Sequence, residues 1–265
     1  MKEILKNILK DAGLLLLDFF NNPVTAIQKE SQSSIVTEAD LGSEKLIVDI
    51  IRSEFPSHNI LSEECGFIDN KSEYTWIIDP LDGTSNFASG IPWFGVLITL
   101  FRGNQPEMAG AYLPITEYLF FAEKGKGAVK NDNPFSLPAD KSLKDSLFAF
   151  CVDYTEDQDF LNRGLETYKF IAQHSRNIRS TNSLVDFLYV AEGKFGGVLN
   201  LFTKVWDISG LGLIISEAGG VMKNINGNDI HFSIGKDLIK ENFPVIAGNR
   251  NIVEQVLSIN SLRER

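Results

Sequence analysis

The 265-residue chain contains little sulfur and little histidine. It has two cysteines, Cys65 and Cys151, and three histidines. The two cysteines are far apart in sequence and belong to no Cys-x-x-Cys pair, which argues against both a disulfide framework and a zinc site. Free cysteines are typical of a reducing compartment, so the sequence predicts a cytoplasmic protein.

Long apolar runs and positive charge are also scarce. The apolar run at residues 14–20 is far too short to span a bilayer, and the N-terminus lacks the apolar core of a signal peptide. We therefore expect no membrane partner. Lys and Arg number 25 against 35 Asp and Glu, which gives a formal net charge of −10. An acidic surface argues against nucleic acid as the main partner.

The rest of the composition is that of a globular protein, with 43% hydrophobic and 23% charged residues. We expect a single unit over residues 1–265. Apolar runs separated by short turns predict an antiparallel sheet in an N-terminal lobe, roughly residues 1–145. Strand and helix patterns alternate after it, which predicts a C-terminal α/β lobe, roughly residues 146–265.

One stretch, TWIIDPLDGTS at residues 75–85, combines groups that bind cations and phosphate. Its β-branched and aromatic start predicts a buried strand. Because Pro80 cannot continue a central strand, we expect the chain to turn just after Asp79. Asp79 and Asp82 would then attract divalent cations, and the N–H groups of residues 83–85 would attract phosphate. The same residues also form ordinary solvated turns, which remains an alternative at this point.

Acidic residues elsewhere have two interpretations as well. Glu63 follows a short predicted strand, where it is either a metal ligand or a solvated loop residue. Asp207 opens a predicted helix, where it is either a ligand or a cap that stabilises the helix dipole. Thr37 and Asp40 have the spacing of a variant capping box at the start of a helix that ends near residue 55.

Four separated pieces stand in order along the chain: Val36-Thr37-Glu38-Ala39-Asp40, Ser62-Glu63-Glu64, Asp79-Pro80-Leu81-Asp82-Gly83-Thr84, and Val205-Trp206-Asp207-Ile208-Ser209-Gly210. Together they resemble the inositol monophosphatase superfamily of magnesium-dependent, lithium-sensitive phosphatases. The resemblance covers nearly the whole chain, including Lys29. It implies an α/β layered sandwich, with alternating layers of helices and of mixed and antiparallel β-sheets, and a homodimer.

The resemblance also implies a set of site residues. Two Mg²⁺ ions, and a weaker third held partly by Glu63, would activate water for direct in-line attack on a phosphate ester. Thr84 and Asp40 would position that water and help to deprotonate it. The implied metal ligands are Glu63, Asp79, the carbonyl of Leu81, Asp82 and Asp207. The implied phosphate and substrate residues are Gly83, Thr84, Ser85, Lys29, Ser183, Asn200 and Lys204.

The substrate side departs from the family pattern. Members that favour inositol phosphate carry a glutamate seven residues before the last metal-binding aspartate, where this chain has Asn200. An amide does not bind a diol as a carboxylate does, and Lys204 could reach a second anionic group. We place inositol-1-phosphate-like polyol or sugar phosphates first. Fructose 1,6-bisphosphate, histidinol phosphate and 3′-phosphoadenosine 5′-phosphate are alternatives.

A hypothesis from a different class is a metal-binding accessory or regulatory protein. A protein that had lost its catalytic activity would be expected to have lost a ligand, whereas every implied ligand is present. The acidic net charge also argues against an accessory role on nucleic acid.

Overall fold

The computed structural model describes residues 1–22, 26–28 and 35–259, so that Lys29 lies outside the described residues. Within them, no helix combines the length and apolarity that crossing a membrane requires. The helices are α1 (Lys2–Asn21), α2 (Glu38–Glu54), α3 (Thr84–Ala88), α4 (Gln158–His174), α5 (Leu184–Ala191), α6 (Val205–Glu217) and α7 (Arg250–Leu257).

The strands form one large sheet, one smaller sheet and a two-stranded ribbon. The strands are β1 (Ala26–Gln28), β2 (Ile35–Thr37), β3 (Asn59–Ser62), β4 (Gly66–Ile68), β5 (Tyr74–Asp82), β6 (Gly95–Arg102), β7 (Gln105–Leu113), β8 (Tyr118–Glu123), β9 (Ala128–Lys130), β10 (Asn133–Phe135), β11 (Leu147–Cys151), β12 (Asn177–Arg179), β13 (Phe195–Asn200), β14 (Val221–Asn224) and β15 (Val245–Gly248).

The large sheet has eight strands in the order β10-β9-β8-β7-β6-β5-β3-β4. All neighbours in it are antiparallel except β3 and β5, which run parallel because the antiparallel strand β4 lies between them in the chain. On one face, α1 and α2 bury Leu9 and Ile47 in the same cluster as Trp76 of β5. Burying an apolar side chain of this size contributes roughly 1.5–3 kcal/mol, so this face holds the N-terminal helices in place.

The smaller sheet has five strands in the order β12-β11-β13-β15-β14 and is mixed. Its outer face packs against α4 and α7 through Ile171 and Val256. Its inner face shares a core with α5, α6 and the large sheet, in which Leu188 and Ile214 are fully buried. The layers therefore alternate between helix pairs and sheets. The predicted α/β layered sandwich, with mixed and antiparallel sheets, is confirmed.

Strand β5 corrects the prediction of a turn after Asp79. The strand continues through Pro80 to Asp82, but its pairing with β6 shifts: Asp79 lies opposite Leu97, and Asp82 lies opposite Gly95. This irregularity is a β-bulge, which leaves the proline without a ladder partner and so removes the need for its missing N–H. The prediction failed because proline excludes only a regular central strand. The chain turns at Gly83 instead.

Candidate metal centre and active site

Three aspartates from two elements converge where β5 ends. One carboxylate oxygen each from Asp79, Asp82 and Asp207 lies within 4.8 Å of the other two. The bulge in β5 separates the first two, and α6 supplies the third. Asp207 was expected at the start of its helix; it is the third residue of α6, and its carboxylate accepts the backbone N–H of Lys204 at 2.6 Å. That hydrogen bond fixes the carboxylate at the end of the helix that faces β5.

The surroundings of the cluster disfavour the ionised form of its three carboxylates. Asp79 is 2% exposed and Asp82 is 9% exposed. Burial, reinforced by the charges of Glu63, Asp82 and Asp207, raises the pKa of Asp79 well above its usual value. Burial also raises the pKa of Asp82 and of Asp207 to about 7. A divalent cation would offset this cost, and an all-oxygen donor set is what Mg²⁺ prefers.

Glu63 and Leu81 lie at the margin of the cluster. The backbone N–H of Glu63 donates to the carbonyl of Ile78 at 3.3 Å, which places Glu63 beside the carboxyl end of β5. Its charge contributes to the raised pKa of both Asp79 and Asp82. The backbone N–H of Leu81 donates to Asp79 Oδ1 at 3.1 Å, which draws the bulge toward the carboxylates.

Asp40 has two different partners, one for each carboxylate oxygen. Its Oδ2 accepts the backbone N–H and the hydroxyl of Thr37 at 2.8 and 2.6 Å, so the predicted capping box at the start of α2 is present. Its Oδ1 lies 3.0 Å from Thr84 Oγ1, which is also 2.9 Å from the carbonyl oxygen of Leu81. Both oxygens are within hydrogen-bond distance of the Thr84 hydroxyl, which therefore links Asp40 to the bulge of β5.

Gly83 makes the turn from β5 into α3 with φ +87°. A Cβ at this position would lie 2.6 Å from the carbonyl oxygen of Trp93. Both the left-handed backbone and the close approach therefore require glycine. Ser85 is exposed in the first turn of α3, beside Thr84.

The other predicted substrate residues are distributed unevenly. Ser183 caps α5, and its Cβ would be 3.2 Å from a Cβ placed on Gly83, so it lies against the turn. Asn200 ends β13, and its side-chain oxygen accepts the backbone N–H of Phe202 at 3.0 Å. Lys204 Nζ donates to the carbonyl of Lys240 at 3.2 Å. The structure thus brings Ser183 to the Gly83 turn, whereas these side-chain contacts of Asn200 and Lys204 involve none of the three aspartates.

Several residues that contact the site were missed in the sequence. Ser43 Oγ donates to the carbonyl of Pro80 at 2.7 Å, directly at the bulge. Glu44 and Asp186 each accept backbone N–H groups of loops that adjoin the cluster. A signal was present: Ser43 and Glu44 lie three and four residues after Asp40, on the helix face that also buries Ile47. A polar residue on an apolar helix face indicates a specific buried partner.

The chain is similar to known proteins both in sequence and in structure. The family model described as "Inositol monophosphatase family" matches residues 1–262. A fructose-1,6-bisphosphatase/inositol-1-monophosphatase of Aquifex aeolicus is 32% identical over 237 residues, which cover 88% of this chain and 84% of that protein. A Nus factor SuhB of Pasteurella multocida is 30% identical over 230 residues, covering 86% and 83%. The crystal structure of the suppressor protein SuhB from Bartonella henselae has a TM-score of 0.88 at 27% identity, covering 99% and 98%.

Proposed function

Because the chain belongs to the inositol monophosphatase family, we propose that it is a Mg²⁺-dependent phosphatase of small phosphate monoesters. The observation that carries the proposal is the convergence of Asp79, Asp82 and Asp207, whose oxygen atoms lie within 4.8 Å of one another. Buried carboxylates at this density require positive charge to stay ionised. A cation that binds there also attracts phosphate.

We assign the ligands to two ions. Glu63, Asp79 and the Leu81 carbonyl would hold one Mg²⁺, and Asp79, Asp82 and Asp207 would hold the other. A third, weaker ion would be held partly by Glu63. When bound, Mg²⁺ supplies positive charge that lowers the pKa of water and stabilises the departing oxygen of the ester. The carboxylates must lose their protons to bind it, so binding releases protons near neutral pH.

Thr84 and Asp40 are proposed to position the attacking water and to take its proton. In this proposal the Thr84 hydroxyl donates its one hydrogen to Asp40 Oδ1, which lies 3.0 Å away. Its oxygen lone pairs then remain for a donor, and a water molecule is the donor that hydrolysis requires. The same geometry leaves the Leu81 carbonyl oxygen available as a ligand, because the hydroxyl hydrogen is directed elsewhere.

The turn after β5 is proposed to bind the phosphate group through the backbone N–H groups of Gly83 and Thr84, with Ser85 and Ser183 beside it. The left-handed conformation of Gly83 supports this role, because such a turn lets successive N–H groups point to one concave side. Lys29 stays a proposal for a residue near the phosphate, and Asn200 and Lys204 stay proposals for contacts with the remainder of the substrate.

Inositol-1-phosphate-like polyol or sugar phosphates remain the first substrate class. The Aquifex aeolicus relative, whose name combines fructose-1,6-bisphosphatase with inositol-1-monophosphatase, supports testing both substrates together. Histidinol phosphate and 3′-phosphoadenosine 5′-phosphate complete the set. We also propose a homodimer, a cytoplasmic location, and lobes over residues 1–145 and 146–265.

The experiment is phosphate release from these four substrates, with Mg²⁺ and with EDTA. We expect release that depends on Mg²⁺ from at least one of them. Release that persists in EDTA would contradict metal-dependent hydrolysis, and no release from any substrate would contradict the proposed substrate class.

A second candidate function is a regulatory role, as the name "Nus factor" implies for several relatives at 29–30% identity. The names of these relatives do not support the expectation that the chain has no nucleic-acid partner, so that expectation stays a prediction. The two functions can be separated in a strain that lacks the protein. If a variant without turnover, Asp82→Asn, restores the normal phenotype, the regulatory role is favoured; if it does not, hydrolysis is the function that the cell requires.

A further inference from the structure

Two loops that adjoin the aspartate cluster are each held by one buried carboxylate from a helix. Glu44 of α2 is 7% exposed, and Asp186 of α5 is fully buried. Burying an acidic side chain is costly unless it is hydrogen-bonded, so the hydrogen bonds of Glu44 and Asp186 indicate what each residue does. Neither residue is among the ligands or the water-positioning pair assigned above.

Glu44 holds the loop that carries Glu63. Its Oε1 accepts the backbone N–H of Glu64 at 3.1 Å and that of Cys65 at 2.9 Å. The hydroxyl of Ser62 donates to the same oxygen. One oxygen atom therefore binds donors from the residues on both sides of Glu63, which fixes the backbone from which the Glu63 side chain extends.

Asp186 holds the loop that enters α5. Its Oδ2 accepts the backbone N–H of Thr181 at 2.9 Å and that of Asn182 at 3.0 Å, and the Cys151 thiol donates to it at 3.2 Å. Asn182 has φ +51°, a conformation that costs energy in a residue with a side chain. The two N–H contacts to one buried carboxylate oxygen help to hold the loop in that conformation.

The Asp186 loop reaches the cluster directly. The backbone N–H of Leu184 donates to Asp82 Oδ1 at 2.6 Å. Asn86 Nδ2, from the helix after the Gly83 turn, donates to the carbonyl of Thr181 at 2.8 Å. A displaced loop would therefore remove a hydrogen bond from a proposed metal ligand and a contact from the proposed phosphate-binding turn together.

We propose, on the basis of the phosphatase function above, that Glu44 and Asp186 are positioning residues, which hold the two loops in the geometry that Mg²⁺ binding requires. Each acts through other groups: Glu44 through Glu63, and Asp186 through Leu184 and Asp82. Removing partners that orient metal ligands typically weakens metal binding by roughly 10- to 100-fold. We expect losses of that size for Glu44→Ala and Asp186→Ala.

Glu217 offers a matched control. It is a helix carboxylate that accepts two backbone N–H groups, from Gly125 and Gly127, both at 2.8 Å. It lies in the same helix as Asp207, ten residues further on, which is about 15 Å along the axis. We expect Glu217→Ala to lower thermal stability while leaving Mg²⁺ binding unchanged.

The test is calorimetric titration of Mg²⁺ into the metal-stripped full-length protein, with thermal unfolding of each variant as the check of folding. The half-saturating Mg²⁺ concentration for phosphate release is measured in parallel. A positioning role raises that concentration, whereas a purely structural role lowers the unfolding temperature alone. Glu44→Gln and Asp186→Asn keep an acceptor oxygen and should recover most of the affinity.

The outcomes separate this proposal from the phosphatase itself. If the wild-type protein binds no Mg²⁺, the proposed function is wrong. If it binds Mg²⁺ and the folded alanine variants bind it equally well, only the positioning role is wrong. Should the alanine variants not fold, Ser62→Ala and Cys151→Ala each remove a single donor; unchanged Mg²⁺ binding in both would contradict the proposal, and a fewfold loss in both would support it.

Discussion

Raising the pH should destabilise the metal-free protein, because Asp82 prefers its protonated form in the folded state. Its pKa is about 7 when folded, against an ordinary value of 3.8. Between these two values the folded chain holds a proton that the unfolded chain has lost. The free energy of unfolding therefore falls as pH rises, by about 1.4 kcal/mol per pH unit for each such group.

The magnitude follows from that slope. Between about pH 5 and pH 7, Asp82 alone should cost on the order of 3 kcal/mol of stability. For a chain of this size, such a loss lowers the unfolding temperature by roughly 6–12 °C. Asp207, whose pKa is also raised to about 7, acts in the same direction. His58 acts in the opposite direction below its ordinary value of 6.5, because burial lowers its pKa.

Comparison with Asp82→Asn tests the contribution of Asp82. The asparagine cannot ionise, and the variant keeps His58, so the variant should lose the slope that Asp82 produces together with the part of the Asp79 and Asp207 pKa shifts that the Asp82 charge causes. Urea unfolding at several pH values, in EDTA, measures the free energy of unfolding directly. Equal pH slopes in the wild type and the variant would refute the raised pKa. Saturating Mg²⁺ should reverse the wild-type trend, because the cation favours the ionised carboxylates that high pH produces.

Four further experiments each test the role of one residue or of the metal. Thr84→Ala should lower kcat by roughly 10²-fold or more with KM little changed, while Thr84→Ser retains most activity; equal loss in both would contradict a role for the hydroxyl. Gly83→Ala should lower stability by more than about 1 kcal/mol and abolish turnover, because its Cβ would meet the Trp93 carbonyl; a stable, active variant would show that the turn tolerates a side chain. Asn200→Glu should raise kcat/KM for inositol 1-phosphate relative to fructose 1,6-bisphosphate, and an unchanged ratio would remove Asn200 from substrate selection. Lithium at millimolar concentration should inhibit by competing with Mg²⁺, and full activity in lithium would point to a different metal arrangement.

The sequence identified the three aspartates that the structure brings together, because their signal is local. Asp79 and Asp82 stand in one short stretch, and each of the other two pieces contains its acidic residue within a recognisable segment. Their convergence depends on the packing of α6 against β5. The spacing of the residues along the chain does not predict that the three aspartates lie close together. The resemblance to a known family implied it.

The features that were missed depend on contacts between distant residues. Glu44 binds groups about 20 residues further along the chain, and Asp186 binds a cysteine 35 residues earlier. Neither pairing has a local pattern. The continuation of β5 past Pro80 was missed for a related reason, since a bulge is decided by how β6 pairs with β5. Tertiary contacts decided each of these features.

The central claim is that buried aspartates hold the cations that hydrolysis needs, and turnover by Asp82→Asn tests it most directly. Phosphate release is measured at saturating Mg²⁺ on whichever substrate the wild type prefers. Asp229→Asn is the matched control, because exposed Asp229 forms an ion pair with Lys223 and is not among the proposed ligands. The account predicts that Asp82→Asn loses roughly 100-fold or more in kcat while remaining folded, and that Asp229→Asn does not. A folded Asp82→Asn variant that retains more than about a tenth of the wild-type rate would contradict it.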